Sequence, residues 1–356
     1  MAVTGKTLAL AAALLCAATP TIAQDPPKKE GDADNFRGSF IIQIENDIFN
    51  RFGPTDRDYT SGIRLGWMSG PTEMPIWLKS LTDFPTFFGE MEPTRVDRRW
   101  GLSIGQNIYT PENISDPNRI FGDRPYAGWL YVAGALQYTY YRKNEKGEEI
   151  QGRQDTWLLD VGVVGPAAGG EWVQNNVHNL IRAELAQGWR HQLHNDVAIN
   201  LSFERRWRTA ARTLFEEPRL EFDFVPRVGA SLGTVSTYAG AGGQVRLGRN
   251  LDIDFGAARP RPAMAGSDAY SGEGFSWYLF AGLEGQAWAR NMFIDGNLDG
   301  TGSTVTRRAL VAEGSVGLAL IWQGVRVTFT HVARTPEFWE RDRVTQFGSV
   351  NVTFRY

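Results

Sequence analysis

From residue 37 onward the chain alternates apolar and polar positions with a period of two. In 196–207, Val197, Ile199, Leu201, Phe203 and Trp207 share one face, and Asp196, Asn200, Ser202, Glu204 and Arg206 share the other. At the C-terminus Val350, Val352, Phe354 and Tyr356 oppose Ser349, Asn351, Thr353 and Arg355, and Trp157, Leu159, Val161 and Val163 oppose Thr156, Asp160 and Gly162. Such a period belongs to strands whose two faces meet unlike surroundings. A soluble sandwich also alternates, but charged side chains on the second face suit a wet barrel interior better. Twelve such segments recur, near 37–48, 59–70, 97–108, 126–142, 153–165, 192–208, 218–231, 234–248, 275–290, 306–322, 324–334 and 345–356. Each is close to the length of a tilted spanning strand, and an even count brings both ends of a barrel to one side. The pattern therefore predicts an all-β fold over 37–356, a twelve-stranded antiparallel transmembrane β-barrel. Residues 71–96 fit least well, as a long periplasmic connection where a short turn is expected.

One stretch breaks the alternation. Residues 165–189 read as a short helix in an extracellular loop, with Gly169 and Gly170 before it and Gly188 after it as start and stop signals. Gln174 and His178 are four residues apart and share a helical face. Val173, Val177 and Leu180 form an adjacent apolar stripe that predicts a docking face. An imidazole on the one helix among strands points to chemistry.

The N-terminus reads as a secretory signal over 1–23, with Lys6, an apolar core from Leu8 to Ala18 and Thr21-Ile22-Ala23 as cleavage site. Its removal would take away Cys16, the single cysteine, so disulfides are not expected. Residues 24–36 read as a disordered polar lead. A formal net charge of −3 gives no nucleic-acid footprint. Beyond the signal no apolar run approaches the ~18 residues of a spanning helix. The chain nevertheless holds 12 Trp, 11 Tyr, 20 Phe and 39 Gly, which fits a barrel of the outer-membrane type, and Trp67, Trp129, Trp157 and Trp207 are expected in an interfacial girdle.

Strand parity places the loops after the first, third and fifth strands on one side, the extracellular one if the N-terminus is periplasmic. Four clusters meet there: Glu45-Asn46-Asp47-Ile48-Phe49, Asp56-Arg57-Asp58-Tyr59-Thr60-Ser61-Gly62, Gly105-Gln106-Asn107-Ile108-Tyr109-Thr110-Pro111 with Asp123-Arg124-Pro125-Tyr126-Ala127-Gly128-Trp129, and the helix with Gln174, His178 and Glu184. Carboxylate and amide oxygens near one imidazole make a hard-cation site with a general base beside it. A strict pleat sends Asn46 and Asp47 to opposite faces, so a bulge or bend is needed for both to reach one site. Glu184 lies well around an ideal helix from His178, which predicts that the helix ends or kinks before it.

These motifs, in this order and spacing, closely resemble the outer-membrane lipid A 3′-O-deacylase family over nearly the whole mature chain. The resemblance implies a bacterial outer-membrane hydrolase that removes the 3′ acyloxyacyl chain of lipid A in a Ca²⁺-dependent reaction, with its site toward the extracellular side. It implies Asn46, Asp47, Thr60, Gln174, His178 and Glu184 as site residues, and Asp47, Glu184, Asn46 and Thr60 as the metal-side set. His178 would activate water while Ca²⁺ stabilises the oxyanion. Ser61 departs from the family pattern and opens a serine nucleophile acting on phospholipid. A different class of reading is a passive pore whose helix plugs the lumen. Arg57, Arg64, Arg119 and Arg124 are candidate phosphate contacts, Asp123-Arg124 a candidate loop organiser, and His191, His194 and His331 structural or surface residues.

Overall fold

The computed structural model describes residues 36–47, 59, 61–71, 74, 75, 78, 93–144, 147, 149–257 and 274–356. Its strands are β1 (Gly38–Asn46), β2 (Ser61–Ser69), β3 (Arg95–Tyr109), β4 (Ala127–Lys143), β5 (Glu149–Val164), β6 (Asp196–Trp207) and β7 (Arg212–Glu216). They continue as β8 (Arg219–Gly233), β9 (Ser236–Arg249), β10 (Ser276–Asn291), β11 (Leu310–Trp322), β12 (Val325–Arg334) and β13 (Thr345–Arg355). All twelve segments predicted by alternation are strands, within a few residues. The addition is β7, a five-residue piece. The signal and the lead to residue 35 lie outside the described residues, as does most of 71–96.

Each strand pairs antiparallel with its neighbours, and β1 closes the sheet on β13, from Ser39↔Arg355 to Asn46↔Gly348. β6 and β7 together flank β8, β6 pairing with Arg227–Gly233 and β7 with Arg219–Phe222. Thirteen pieces therefore make twelve wall positions, and the barrel has no free edge.

Burial inverts the order of a soluble protein. In β1, Phe40, Ile42 and Ile44 are exposed while Ser39, Gln43 and Glu45 are buried. Leu102 and Ile104 of β3, Val132 of β4, Leu159 and Val161 of β5, and Val197, Ile199 and Leu201 of β6 are likewise exposed. An apolar band outside and polar groups inside are stable only where hydrocarbon covers the outside. Trp67 donates to the Tyr356 hydroxyl at 2.9 Å and meets Trp100 edge-on, which places aromatic rings at one rim as the girdle predicts.

The lumen is filled. At the rim that carries both strand ends of the closure, a 3-10 turn at Leu251–Ile253 and the residues to Ala257 fold inward. Arg246 there holds Asp223 at 2.5 Å and also bonds Asp254, while Arg326 meets Asp254 at 3.2 Å and the Tyr278 hydroxyl at 3.0 Å. Buried charges are tolerable because each is paired. Toward the other rim the filling is aromatic: Tyr109 stacks on Phe293 at 3.7 Å and Trp129 lies 4.4 Å from Tyr131. Trp129 is thus a lumen residue and not part of the girdle. Its phase along β4 is opposite to that of Val132, so the pleat turns it inward.

Candidate functional site

The helical stretch begins with Gly165 at φ 108°, a 3-10 turn at Pro166–Ala168 and Gly169 in the left-handed region. Helix α1 then runs from Gly170 to Ile181, short of the Gly188 stop signal, and Arg182 at φ 59° ends it before Glu184, as the position of Glu184 predicts. The chain returns through 182–188 along the helix it has just left.

Helix α1 lies on the outer wall of the barrel. Ile108 of β3 has the same phase as Leu102 and Ile104, yet is only 1% exposed. Val173 of the helix, Trp189, Ala186, Tyr126 and Ile114 cover it. Gln106, also in outward phase, donates to the Ala168 carbonyl at 2.6 Å. Glycines permit the approach: a Cβ on Gly128 would stand 3.1 Å from the Gly170 nitrogen, and one on Gly170 would stand 2.7 Å from the Trp189 ring. The helix therefore does not plug the lumen, contrary to the plug expected under the pore reading. The predicted apolar docking stripe is also corrected. Only Val173 packs inward, and the face that docks carries Gln174 and His178, both buried.

His178 and Gln174 are held by different devices. The Nδ1 atom of His178 bonds the main-chain carbonyl oxygen of Glu184. A carbonyl only accepts, so Nδ1 carries the proton and Nε2 keeps its lone pair. Glu184 reaches His178 through its backbone because Arg182 turns the chain; its carboxylate is exposed. Asn175 secures that return, its Oδ1 accepting from the Ala186 N–H at 3.0 Å and its Nδ2 donating to the Ala186 carbonyl at 3.2 Å. Gln174 accepts at Oε1 from the Trp189 indole N–H at 2.9 Å. An indole only donates, which orients the amide and leaves Nε2 of Gln174 buried without a partner among the described residues. Burial pushes the Tyr126 hydroxyl up to about 12, so it stays protonated and donates to the Ile114 carbonyl at 3.1 Å beneath this segment.

The other predicted residues lie along the same rim. Asn46 ends β1 opposite Ser61 of β2, and Ser61 stands opposite Ile108 of β3. Two strand spacings of about 4.8 Å separate Asn46 from the residue under α1, about 10 Å in all. Asn46 falls in the outward phase of β1, half-buried, whereas Asp47, directly after the last strand residue, is buried. The opposite-face problem is thus real at Asn46, and the strand ends there. Thr60, Arg57 and Asp58 lie outside the described residues.

The basic candidates divide. Arg64 is buried and donates to Gln43 at 2.6 Å, and Arg124 is buried against Glu337 at 2.7 Å. Arg119 is exposed and bonds the Gly302 carbonyl at 3.2 Å. Asp123 accepts from the Glu112 and Arg124 backbone N–H groups, each at 2.7 Å, and organises its loop. His191 accepts from Arg190, His194 pairs with Asp299 and His331 with Gln346, all structural contacts. Sequence reasoning missed Asn175 and Trp189 as supports. Asn175 sits in a Gln-Asn-Asn run in which nothing local separates a clamp from a solvated amide.

A closed barrel with an apolar outer band, and a helix-borne imidazole pressed on its outer wall, defines an outer-membrane β-barrel protein with a site at its rim. The chain matches the family described as outer membrane protein LpxR over residues 8–356, and it belongs to that family. It is similar to the solved structure of LpxR from Salmonella typhimurium, with 24% identity and a TM-score of 0.66 over 89% of this chain and 100% of that one. The β domain of the Bordetella autotransporter BrkA matches with 12% identity and a TM-score of 0.40, over 91% of this chain and 99% of that one. The comparison with curated proteins found no match.

Proposed function

We propose that this protein is a lipid A 3′-O-deacylase, hydrolysing the ester that carries the 3′ acyloxyacyl chain, with the α1 rim facing outward. The observation that carries this reading is the buried pair on α1: an imidazole whose Nδ1 is held by the Glu184 carbonyl, and an amide donor one turn away at Gln174. Orientation is supported by connection lengths. Two-residue turns lie at the rim opposite α1, after β7 and after β11, while the α1 rim carries 110–126, 165–195, 292–309 and 335–344 beside one two-residue turn, after β8. Long loops face outward in such barrels, although the connections 70–94 and 250–275 depart from that rule.

Nε2 of His178 takes a proton from water, whose oxygen bonds to the ester carbonyl carbon. Nε2–H of Gln174 is a donor for the oxyanion that develops. As the acyl–oxygen bond breaks, the imidazolium returns the proton to the sugar oxygen, releasing a carboxylic acid and a 3′ hydroxyl. The Glu184 carbonyl holds the tautomer throughout, so Glu184 and Asn175 are positioning residues in this scheme.

The donors near the rim fit calcium by their chemistry, since the Asp47 carboxylate and Asn46 amide are hard oxygen ligands, with Thr60 as a third oxygen in the sequence. Among the described residues there is no group of three His, Cys, Asp or Glu that could hold an ion. Bound calcium supplies Lewis-acid stabilisation of oxyanion charge. Protein in detergent micelles with lipid A is expected to release the 3′ acyloxyacyl acid with calcium and not with a chelator, followed by mass spectrometry. Unchanged lipid A across a calcium series refutes the reading. Intact lipid A with phospholipid cleavage that is lost in Ser61→Ala points instead to the serine hydrolase.

Asn175→Ala removes two hydrogen bonds worth about 1 kcal/mol each, and is expected to slow deacylation by about tenfold. Asn175→Asp keeps the acceptor for Ala186 N–H and is expected to recover part of that rate. Equal rates in both variants and the parent remove Asn175 from the positioning role.

A further inference from the structure

Helix α1 has its polarity reversed relative to a helix on a soluble protein. At 100° per residue, Gln174, His178 and Ile181 face the wall and Trp172, Asn176 and Leu180 the opposite side, with Val177 on the flank between them beside Val173, which packs on the Ile108 cluster. Trp172 is 72%, Val177 45% and Leu180 84% exposed. The one amide among them, Asn176, turns back to donate to the Trp172 carbonyl at 2.7 Å, so it satisfies its own helix. Leu185 on the return segment is exposed as well, at 39%. Charged residues are confined to the ends of this stretch, at Glu171, Arg182 and Glu184.

This face continues the band that the bilayer covers. Ile104 lies four residues along β3 from Ile108, about 13 Å at ~3.3 Å per residue. A helix about 10–12 Å across fills that interval. Val132 on β4 and Val161 on β5 continue the exposed apolar wall beside it.

We propose that Trp172, Val177 and Leu180 dock in the acyl-chain layer of the outer membrane, making α1 a membrane-embedded cover over His178 and Gln174. This rests on the membrane placement of the barrel and not on the hydrolase reading. An aqueous setting would leave three large apolar side chains in water around a buried polar face, opposite to what hydrophobic burial favours.

The test uses the full chain with Cys16→Ser, which removes the single cysteine, and an NBD fluorophore on Leu180→Cys or Trp172→Cys. Leu102→Cys on the wall and Asp342→Cys in the 335–344 loop serve as lipid and water references. Proteins are inserted in phosphatidylcholine vesicles, with folding checked by heat-shifted gel mobility. Both α1 probes are expected to match Leu102→Cys, with blue-shifted emission quenched by spin-labelled acyl chains and spared by iodide. Emission matching Asp342→Cys, open to iodide and blind to the spin label, overturns the proposal. A blue shift that vanishes on dilution of protein in lipid also overturns it, because a second copy would then be the occupant. Either result leaves the deacylation assay free to succeed or fail on its own.

Discussion

His178→Ala is expected to lower the deacylation rate by ~10²–10⁴-fold, the usual worth of a positioned general base. Added calcium is not expected to restore it, since no proposed oxygen donor is touched. Neighbouring variants separate the roles. Glu184→Ala keeps the main-chain carbonyl that holds His178 Nδ1, so with the metal-side role that the family resemblance implies for its carboxylate, its loss is expected to lie in calcium affinity and to be recovered at raised calcium. Gln174→Ala removes the buried amide donor beside the base and is expected to cost rate without altering calcium dependence. Steady-state rates on lipid A over a calcium series check all three, with heat-shifted gel mobility reporting the barrel. A folded His178→Ala protein with near-parental activity would sink the general-base scheme while leaving the fold untouched.

Gly128→Val is expected to lower activity by about 10²-fold with the barrel intact. At Gly128 a Cβ already meets the Gly170 nitrogen at 3.1 Å and the Ala168 Cβ at 3.2 Å, and valine adds two methyl groups to that seam. Relief requires α1 to lift from the wall, and misplacing reacting groups by about 1 Å costs on the order of 10²-fold. Overpacking of about 1–3 kcal/mol is small beside a closed strand ladder. Gly134→Val on the same strand is the control, because a Cβ there meets nothing within 4 Å. Parental activity in Gly128→Val, or equal losses in both variants, contradicts the close-contact account.

The two variants show how differently parts of this protein could be read from its sequence. Strands were legible because alternation at Val197, Ile199 and Leu201 records a two-sided environment one residue at a time. The position of Gln174 and His178 on one helical face was legible for the same reason, since their spacing is local. The end of the helix was legible in part: the position of Glu184 relative to His178 called for an end or kink before it, but a non-glycine residue in the left-handed region gives no compositional warning that Arg182 is the place, and Gly188, which looked like the stop, lies beyond it. Trp129 misled because tryptophan suits both a membrane rim and an aromatic lumen, and only its phase relative to Val132 separates them. Arg64 and Arg124 looked like phosphate contacts because their partners, Gln43 and Glu337, are distant in sequence.

By itself the sequence determined the barrel, its strand count and the four motif clusters, because period two, parity and local spacing are properties of neighbouring residues. Tertiary structure alone decided that the helix lies outside the wall, that its polar face turns inward, and that Glu184 serves His178 through a carbonyl. Those features depend on which surfaces meet: Gly128 against Gly170, Val173 on Ile108, and Asn175 on Ala186. A main-chain carbonyl is common to every residue, so its use leaves no mark in the sequence.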